Sequence, residues 1–545
     1  MSLVRVLCRS IQCLRYCNSL PIRGNQSWTT LRGRRYCSLF DERTYFDGDE
    51  EKKEGEKDED GEDVEVDGED EEEDSDEEDE DYEEFVPRNL RLPSSPHNLL
   101  VIQPKVKYGK NKTKLYERTT PELQLEEACT LAESLDGWKI VKAAVIGTSS
   151  PTRRLVFGIG TNEMIEEYVQ KNKSVSAIFY SINMMYGWKQ AELEDMFRVP
   201  VFDRFSIVLH IFKERAKTKE AKLQLALAEL PYVKTRLREA SKSGKSEMVG
   251  AGAWFGTGST FYQKRIEIVK ERERMLKKKI AKLRVQREMS RNQRKKLRIP
   301  TVAVVGYTNC GKTSLIKALT GSKNLVPLDK LFATVDVRLF PGRLDRIHNV
   351  YYIDTIGFIS DIPTDLIESF KTTLEEVNLA DLIIHVQDVS HPDLKNQRDT
   401  VYATLKSMEI SDKLMVTMAE VGNKIDKLQN PEQEYRDAAK SVDLLISATK
   451  ETNLNALKDE LEKRLLINTG CFLSRVRIAT GGEEYSWLLR NSIILSSEVD
   501  ELDQNYTFMD IRLTEAVAGK FRRLFGTSCF IRKRDEDQKN SHQIP

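Results

Sequence analysis

The segment from Gly306 to Thr313 constrains the fold of this chain more than any other part of its sequence. It reads Gly-Tyr-Thr-Asn-Cys-Gly-Lys-Thr and follows an apolar run, residues 301–305, that predicts a buried strand. Residues 314–319 then predict the first turns of a helix. A glycine loop between a strand and a helix lets backbone N–H groups surround a phosphate, and the helix N terminus adds partial positive charge. The sequence therefore predicts a phosphate-binding loop in an α/β domain.

Two side chains of this loop are expected to act on the phosphates directly. Lys312 would reach the β- and γ-phosphates, and the Thr313 hydroxyl would hold Mg²⁺. The loop alone indicates a nucleoside triphosphate without specifying the base. The residues predicted to contact the nucleotide here are Gly306, Tyr307, Thr308, Asn309, Cys310, Gly311, Lys312, Thr313 and Ser314.

A second motif, Asn423-Lys424-Ile425-Asp426, predicts which base is bound. The Asp426 carboxylate can accept hydrogen bonds from guanine N1–H and its 2-amino group, whereas adenine offers an acceptor at N1. Binding ATP would leave buried polar groups unpaired, so the motif favours GTP. Asn423, Lys424 and Asp426 are the predicted base-site residues, and Ser447-Ala448, after a short apolar run, are predicted to form a loop at the base edge.

A third motif, Asp354-Thr355-Ile356-Gly357, lies between the other two and follows a predicted strand. Asp354 would contact Mg²⁺ through water, and the Gly357 N–H would sense the γ-phosphate. Thr334 is the expected switch I threonine, closing on Mg²⁺ and the γ-phosphate. Lys312, Thr334 and Gly357 are thus the candidate catalytic residues, and Thr313, Thr334 and Asp354 the candidate Mg²⁺ ligands.

The residue after Gly357 predicts slow intrinsic hydrolysis. A glutamine that positions the attacking water often stands there, but this chain has Phe358. A phenyl ring cannot orient water by hydrogen bonding, so a partner would have to supply polar groups or reorder the switch loop. Asn309 is a candidate K⁺ ligand beside the phosphates. Cys310 is either a redox-sensitive thiol at a helix N terminus or a plain small residue.

Charge is strongly segregated along the 545 residues, although the formal net charge is only −2. Residues 1–40 hold seven Arg and no acid, and residues 41–84 hold 29 acids and four bases. The remainder holds 74 bases against 58 acids. A basic body suggests a polyanionic partner, most simply RNA.

Residues 1–40 predict a mitochondrial targeting sequence and hence a matrix location. They are rich in Arg, free of acids and carry apolar residues at helical spacing, and residues 34–38 resemble a processing-peptidase site. The alternative is a disordered basic tail. Residues 41–94 are predicted to be an acidic disordered segment, because they cannot bury a core. This segment is either a solvated spacer or a self-inhibitor that covers a basic RNA-binding surface.

The remaining cysteines and apolar runs exclude several classes of protein. Four of the eight cysteines lie in residues 1–40, and the others form no CxxC pair, which argues against a zinc site or a disulfide framework. The sequence contains no run of about 18 apolar residues that would predict a membrane span. We expect a monomer.

Residues 95–212 predict a small α/β domain, the N-terminal domain. The predicted helices are 123–135 and 162–170, and the predicted strands are 138–141, 155–157, 177–180 and 205–209. Gly158-Ile159-Gly160 lacks the third glycine of a dinucleotide loop and is interpreted as a tight turn.

Residues 213–298 predict an antiparallel helical hairpin. Leucines and valines from Leu223 to Leu237, and apolar residues from Ile266 to Leu283, recur at three- and four-residue steps, which predicts two helices that pack on each other. Residues 262–298 hold 16 bases and four acids, which favours contact with RNA phosphates. In the Gly- and Ser-rich tip, Trp254 and Phe255 either stack on an unpaired base or pack the tip.

Two further domains complete the predicted order. Residues 299–469 form a P-loop GTPase domain with a Rossmann-like sheet, here called the P-loop domain. Residues 470–545 form a small α+β C-terminal domain with a disordered tail. Its predicted strands are 474–478, 492–495 and 507–513, and its predicted helices are 484–490 and 515–524. The overall fold class is α/β.

This order of domains and its motifs resemble the HflX family of ribosome-associated GTPases. The resemblance covers about residues 95–470 and is carried by the loop 306–315, by Leu331-Phe332-Ala333-Thr334, by residues 354–359 and by the segments 201–204 and 215–224. Residues 471–545 match less clearly. Cys310 stands where the family usually has Ala, residues 256–260 lack the Glu of bacterial members, and Gly160 is followed by Thr161 rather than Lys. The last two departures argue against a second nucleotide site in the N-terminal domain.

The resemblance implies a factor that binds the large ribosomal subunit near the tRNA sites, with the hairpin probing the peptidyl-transferase region. Such a factor splits ribosomes for recycling or matures the large subunit, and the sequence leaves both open. The partners implied are the mitochondrial ribosome and its large-subunit rRNA, and the cofactors are GTP and Mg²⁺, with K⁺ as a candidate. An alternative of another class is a GTP-gated adaptor that acts on a protein effector without RNA contact.

Overall fold

The computed structural model describes most of the chain beyond residue 95, and all of these residues lie in one compact unit, Gly68–Pro545. The predicted targeting sequence, the acidic segment and the hairpin tip with Trp254 and Phe255 lie outside the described residues. The described ranges are 96–106, 119–150, 154–242, 258–296, 299–360 without 324, 346 and 348, 371–428, 431–500, 502–526 and 529–530.

The N-terminal domain is a parallel four-stranded sheet with the strand order β2-β1-β3-β4. Its strands are β1 (Asn98–Val106), β2 (Lys139–Thr148), β3 (Ala177–Tyr180) and β4 (Val201–Phe202). Its helices are α1 (Pro121–Glu133), α2 (Ile159–Lys171), α3 (Gly187–Phe197) and α4 (Arg204–Arg215). Strand β3 is buried at all four residues, as expected for a central parallel strand covered on both faces.

The predicted strand 205–209 is wrong, because these residues form the first half of helix α4. Asp203 caps this helix by accepting a hydrogen bond from the Ser206 N–H at 2.8 Å, and the Ser206 hydroxyl is 2.9 Å from the Asp203 N–H in a reciprocal capping box. Every residue from 204 to 212 is buried. A helix that is buried all round has no polar face, so its sequence resembles a buried strand.

The predicted strand 155–157 is also wrong, since these residues form bends before helix α2. Val156 and Phe157 are buried, and the Val156 carbonyl accepts a hydrogen bond from the Thr148 hydroxyl. The segment is therefore apolar because it packs into the core without pairing in the sheet. Gly158 is the residue at the N-cap of α2, which agrees with its interpretation as a structural turn.

The predicted hairpin consists of α5 (Lys219–Lys242) and α6 (Gly258–Lys296). Lys234 pairs with Glu273, and Glu220 pairs with Arg287, so residues further along α5 meet earlier residues of α6 and the helices are antiparallel. The apolar stripes pack on each other as predicted, with a core of Leu230, Val233, Leu237, Val269 and Leu276. With about 1.5 Å of rise per residue, α6 is about 58 Å long.

The P-loop domain contains a six-stranded sheet in the order β10-β9-β8-β5-β7-β6, parallel except for β6. Its strands are β5 (Thr301–Gly306), β6 (Arg338–Gly342), β7 (Val350–Asp354), β8 (Leu382–Asp388), β9 (Ala419–Asn423) and β10 (Leu444–Leu445). Its α-helices are α7 (Lys312–Thr320), α8 (Lys371–Asn378), α9 (Leu394–Ser407), α10 (Asp412–Thr417), α11 (Pro431–Ala439) and α12 (Leu454–Thr469). All three nucleotide motifs follow the carboxyl ends of parallel strands, where open α/β sheets bind ligands.

The C-terminal domain is an antiparallel sheet in the order β11-β13-β12 with two helices. Its elements are β11 (Cys471–Ala479), α13 (Glu483–Asn491), β12 (Ile493–Val499), β13 (Tyr506–Thr514) and α14 (Glu515–Phe525). They confirm the predicted α+β pattern. Across all described residues, the structure has no helix with the length and apolarity needed to cross a bilayer.

Candidate nucleotide site

Two glycines of the phosphate-binding loop lie where no side chain fits. A Cβ atom on Gly306 would lie 2.3 Å from the Val386 carbonyl oxygen, and one on Gly311 would lie 2.4 Å from Asn423 Nδ2. Gly311 also has φ = 96°, a left-handed conformation that favours glycine. The loop therefore packs closely against β8 and against the base motif. Gly311 is also the N-cap residue of helix α7, so the loop leads directly into that helix.

Lys312 is buried, and its side chain spans the loop from within. The Nζ ammonium donates hydrogen bonds to the carbonyl oxygens of Tyr307 at 2.9 Å and Gly306 at 3.2 Å. A Cβ on Gly357 would lie 3.0 Å from the same ammonium, so glycine allows the third motif to approach it closely. The structure therefore brings Lys312 and Gly357 together as the sequence predicts.

The three candidate Mg²⁺ ligands converge on a single point. The Thr313 hydroxyl donates to Asp354 Oδ2 at 2.8 Å, and the Thr334 hydroxyl donates to the same oxygen at 3.0 Å. The two hydroxyl oxygens are 3.1 Å apart. Thr334 comes from a segment without regular structure, whereas the other two are fixed by α7 and β7, so only Thr334 can leave without unfolding an element.

Asp354 is almost fully buried, and burial raises the pKa of its carboxyl despite the nearby Lys312 ammonium and the two hydroxyl donors. Its second oxygen, Oδ1, is buried without a hydrogen-bond partner, as is the Thr308 hydroxyl. An orphaned carboxylate oxygen beside two hydroxyls is a donor set that suits a hard divalent cation. The residues therefore fit Mg²⁺, which would supply charge neutralisation for the phosphates.

Asn423 joins the base motif to the phosphate-binding loop. Its Nδ2 donates to the Cys310 carbonyl at 2.9 Å, and its Oδ1 accepts from the Ala448 N–H at 3.0 Å. Asn423 is thus placed to hold two loops together. Lys424 has φ = 68° and its ammonium pairs with Asp388 at 2.7 Å, a partner that sequence reasoning missed.

Asp426 accepts a hydrogen bond from the Ser447 hydroxyl at 2.6 Å. Burial opposes its ionisation, but this hydrogen bond and the nearby lysines hold the pKa of Asp426 below its usual value. The carboxylate is therefore anionic at neutral pH and remains able to accept from a base edge. The predicted base-site residues are thus all adjacent in the structure.

The other residues predicted in the loop have distinct surroundings. Asn309 has φ = 60°, and its Nδ2 donates to Asp329 at 2.8 Å. Cys310 is fully buried, and burial raises the pKa of its thiol, which favours a plain small residue over a reactive thiolate. Ser314 is half-buried in the first turn of α7. A cavity of about 50 Å³ lies between this turn and the Thr334 segment.

Phe358 is buried in the core, so its ring is out of reach of an attacking water as well as unable to form a hydrogen bond to it. Its carbonyl accepts from the Thr308 N–H at 2.7 Å, and its N–H donates to the Gly306 carbonyl at 3.1 Å. The backbone of this residue therefore fixes the third motif against the phosphate-binding loop, while the ring packs away from solvent.

The switch I segment around Thr334 docks on the N-terminal domain, which no local sequence signal indicated. Arg215 donates hydrogen bonds to the carbonyls of Leu331 and Ser134, and the Leu331 N–H donates to the Ser134 hydroxyl at 3.1 Å. Phe332 packs edge-on against Phe212 with ring centroids 4.8 Å apart. Two further contacts fix the other end of the segment: Asp336 accepts from the Thr218 hydroxyl at 2.7 Å and from the Lys217 N–H at 3.3 Å.

Ser360, three residues after Gly357, contacts the N-terminal domain, and helix α8 contacts the hairpin. The Ser360 carbonyl accepts from Arg204 at 3.1 Å, and the Ser360 N–H donates to the Tyr307 hydroxyl at 2.8 Å. Further along, helix α8 carries two glutamates that pair with helix α6 of the hairpin, Glu375 with Arg284 at 2.7 Å and Glu376 with Arg291 at 2.8 Å. Both segments predicted to sense the nucleotide thus touch the parts of the chain that precede the P-loop domain.

Comparison with known proteins identifies a GTPase domain and two preceding regions that occur with it. Residues 301–424 match the family model described as "50S ribosome-binding GTPase". Residues 215–294 match "GTP-binding GTPase Middle Region", and residues 122–213 match "GTP-binding GTPase N-terminal".

Among similar proteins, GTP-binding protein 6 of Homo sapiens is 38% identical over 445 residues, which cover 81% of this chain and 84% of that protein. GTPase HflX of Caldanaerobacter subterraneus subsp. tengcongensis is 34% identical over 63% of this chain and 77% of its own length. A solved GTP-binding protein of Sulfolobus solfataricus in complex with GDP is 22% identical, covers 68% of this chain and 99% of its own, and has a TM-score of 0.35.

Proposed function

We propose a function on the mitochondrial ribosome for this chain, which belongs to the HflX family of GTPases. In this proposal, the protein binds the ribosome through large-subunit rRNA. It couples binding and hydrolysis of GTP to ribosome dissociation and recycling, to large-subunit biogenesis, or to both.

The observation that carries the proposal is the basic hairpin. The segment 262–298 has 16 bases and four acids, and many of the bases on α6 are exposed. The apolar stripe provides the packing between the two helices. Of these bases, Arg284, Arg287 and Arg291 pair with Glu375, Glu220 and Glu376. A long helix with a large excess of exposed cations matches the charge of an RNA backbone.

The contacts of the switch segments explain how the nucleotide would control the hairpin. Thr334 lies two residues from Asp336, which bonds Thr218 at the start of the hairpin. Glu375 and Glu376 follow the Ser360 segment and pair with arginines of α6. A change of the switch loops after hydrolysis would therefore alter these contacts of the hairpin with the P-loop domain, and so its position on RNA.

Hydrolysis itself would depend on the ribosome. Lys312 and the Gly357 N–H would bind the γ-phosphate, and Thr313, Thr334 and Asp354 would hold Mg²⁺. The buried Phe358 leaves no side chain there to orient water, so the ribosome is expected to supply polar groups or to reorder the switch loop. K⁺ at Asn309 is a further part of this proposal, and equal turnover in Na⁺ and K⁺ would remove it.

Location in the matrix is proposed from residues 1–40, which hold seven Arg and no acid. A fusion of this segment to a reporter should enter mitochondria, and the same segment with its arginines replaced by Gln should not.

The experiment that tests the function measures GTP turnover with and without purified mitochondrial ribosomes, with sedimentation of the same mixtures. Stimulation with conversion of whole ribosomes to subunits would support splitting. Stimulation or tight binding by large subunits alone, without splitting, would support assembly. Absence of both stimulation and a sedimentation shift would contradict the ribosome proposal and favour the protein adaptor, whose target binding should also show little dependence on salt.

A further inference from the structure

Two aromatic rings are exposed side by side where the loop after β3 leads into helix α3. Tyr186 is 71% exposed and Trp188 is 37% exposed, and the planes of their rings differ by only 10° with centroids 6.5 Å apart. Met184, beside them in the chain, is 37% exposed. Large apolar side chains grouped on a surface mark a binding site more often than single ones do.

Three contacts hold this loop rigidly. The Met185 N–H donates to the buried Asp203 carboxylate at 2.6 Å, and the Ile182 N–H donates to the Tyr180 carbonyl at 2.8 Å. On the other side of the rings, the Gln190 amide donates to the Tyr232 hydroxyl of helix α5 at 3.3 Å. The two rings are thus presented on a fixed support, which lowers the entropy that a ligand must overcome.

Gly187, between the two rings, places them against the hairpin. A Cβ atom on Gly187 would lie 3.2 Å from both the carbonyl carbon and the carbonyl oxygen of Thr235 in α5. Glycine therefore lets the start of α3 press on the hairpin backbone. The rings consequently lie where the N-terminal domain meets the basic hairpin, at the carboxyl edge of a parallel sheet, which is the edge where such sheets bind ligands.

The charges around the rings suit an anionic ligand. Two acids of α3 are neutralised, because Glu192 pairs with Arg154 at 2.9 Å and Glu194 pairs with Arg236 at 2.8 Å. Arg238 is exposed one helical turn beyond Thr235. The N-cap residue of α3, Tyr186, makes no capping hydrogen bond through its side chain. The partial positive charge of this helix N terminus, which begins between the rings, favours an anion there.

We propose that Tyr186 and Trp188 form a stacking site for an unpaired nucleotide of RNA. Either ring would stack on the face of a base, as aromatic side chains do with single-stranded RNA, and the uncapped start of α3 would receive the adjacent phosphate. This site rests on the proposed function, since it adds a base contact to the phosphate contacts of the hairpin.

The test compares variants of the full chain for equilibrium binding to two probes, protein-free large-subunit rRNA and intact large ribosomal subunits, over a range of KCl concentrations. The double substitution Tyr186→Ala with Trp188→Ala should lower the affinity for both probes by about tenfold or more. The slope of log affinity against log salt should stay unchanged, because no phosphate contact is removed. Tyr186→Phe with Trp188→Phe should restore most of the affinity.

Ile159→Ala is the matched control, because Ile159 lies in the same domain, is also 71% exposed and should not affect RNA binding. Unfolding midpoints and GTP turnover without ribosomes should be the same for all variants, which excludes misfolding. As a second readout, the fluorescence difference between the natural chain and Trp188→Phe should be quenched by the rRNA.

Each other outcome overturns the proposal in a distinguishable way. Unchanged affinity of the double alanine variant for both probes would remove the stacking site while leaving the proposed function intact. Loss of affinity for subunits with unchanged affinity for naked rRNA would assign the rings to a protein partner. Failure of the natural chain to bind either probe would refute the proposed function and the stacking site together.

Discussion

The Tyr307 hydroxyl of the phosphate-binding loop donates a hydrogen bond to the carboxylate of Glu127, 2.5 Å away in helix α1 of the N-terminal domain. The same hydroxyl lies 2.9 Å from the Ser360 hydroxyl, and Glu127 also pairs with the buried Arg204. Burial is the main cause that raises the pKa of Tyr307 well above its ordinary value, and the negative charge of Glu127 adds to it. The hydroxyl therefore remains a donor at any physiological pH. A residue of the nucleotide loop is thus part of a buried polar network that crosses between two domains.

Replacing Tyr307 with Phe should lower the free energy of unfolding by about 1–3 kcal/mol, because Glu127 and the Ser360 N–H would lose a buried partner. The measurement is equilibrium denaturation in urea. Tyr352→Phe is the matched control, because the Tyr352 hydroxyl is buried without a hydrogen bond and its removal should cost nothing. Equal losses in the two variants would show that the network does not stabilise the protein.

Asp426→Asn should exchange preference for GTP for preference for xanthosine triphosphate. The Asn amide N–H₂ would face the 2-amino group of guanine, which is also a donor. Xanthine carries a carbonyl at position 2, which can accept a hydrogen bond from this amide. We expect about a hundredfold loss of GTP affinity with a gain for the xanthine nucleotide, measured by competition binding. Since Ser447 holds Asp426 at 2.6 Å, Ser447→Ala should weaken GTP binding without changing the preference. Retained GTP preference in the Asn variant would contradict the role of Asp426.

Asp354→Asn should lower Mg²⁺-dependent GTP turnover by about a hundredfold or more, because the anchor of both threonine hydroxyls loses its charge. GDP binding in the presence of EDTA should be almost unchanged. Burial raises the pKa of Asp354, so in the natural chain Mg²⁺ affinity should fall on acidification at a higher pH than an exposed aspartate would allow. Mg²⁺ affinity that is independent of pH between 4 and 7 would argue against this carboxylate as a ligand.

Reversal of one charge in the pair Arg291–Glu376 should uncouple the hairpin from helix α8. Both side chains are largely buried, with 17% and 9% exposed. Arg291→Glu or Glu376→Arg alone should therefore reduce ribosome-stimulated turnover, whereas the double reversal should restore it. In a double-mutant cycle we expect a coupling energy of about 1 kcal/mol or more. The exposed pair Arg274–Glu271 of α6 is the control, with an expected coupling near zero.

His210 should make the stability of the protein fall as the pH decreases. It lies among Trp138 and Phe202, and burial, with smaller effects of Lys213 and His97, lowers the pKa of His210 to about 4. Between about pH 6.5 and 4, the unfolded chain then binds more protons than the folded one. The contribution of neutral His210 to the free energy of unfolding is therefore fully present above pH 6.5 and is lost as the pH falls toward 4.

His210→Leu should remove about 2–3 kcal/mol of this pH dependence between pH 7.5 and 4.5. Urea denaturation of both proteins at the two pH values provides the measurement, with the natural chain showing the larger difference. Identical pH dependence in the variant would mean that His210 is protonated in the folded protein.

The sequence alone determined the parts of this protein that depend on local spacing. Gly306, Gly311 and Lys312 identify the loop because close backbone approach requires glycine and phosphate requires a fixed cation. Asp354 and Asp426 identify the ends of their strands because a carboxylate suits Mg²⁺ at the first position and the guanine edge at the second. Apolar residues at three- and four-residue steps predict the hairpin stripes. Each of these signals lies within one continuous stretch of chain, and the structure places the three nucleotide motifs at the same edge of one sheet.

Only the tertiary structure decided which surfaces these motifs contact. Residues far apart in the chain meet in the pairs Tyr307 with Glu127, Leu331 with Arg215 and Glu376 with Arg291. Neither partner carries a signal for the other in a single sequence, because an arginine or glutamate that is paired across domains has the same identity as a solvated one. The sequence of helix α4 predicts a strand for a related reason. Burial on every side removes the periodicity that distinguishes a helix, and burial is decided by packing with distant parts of the chain.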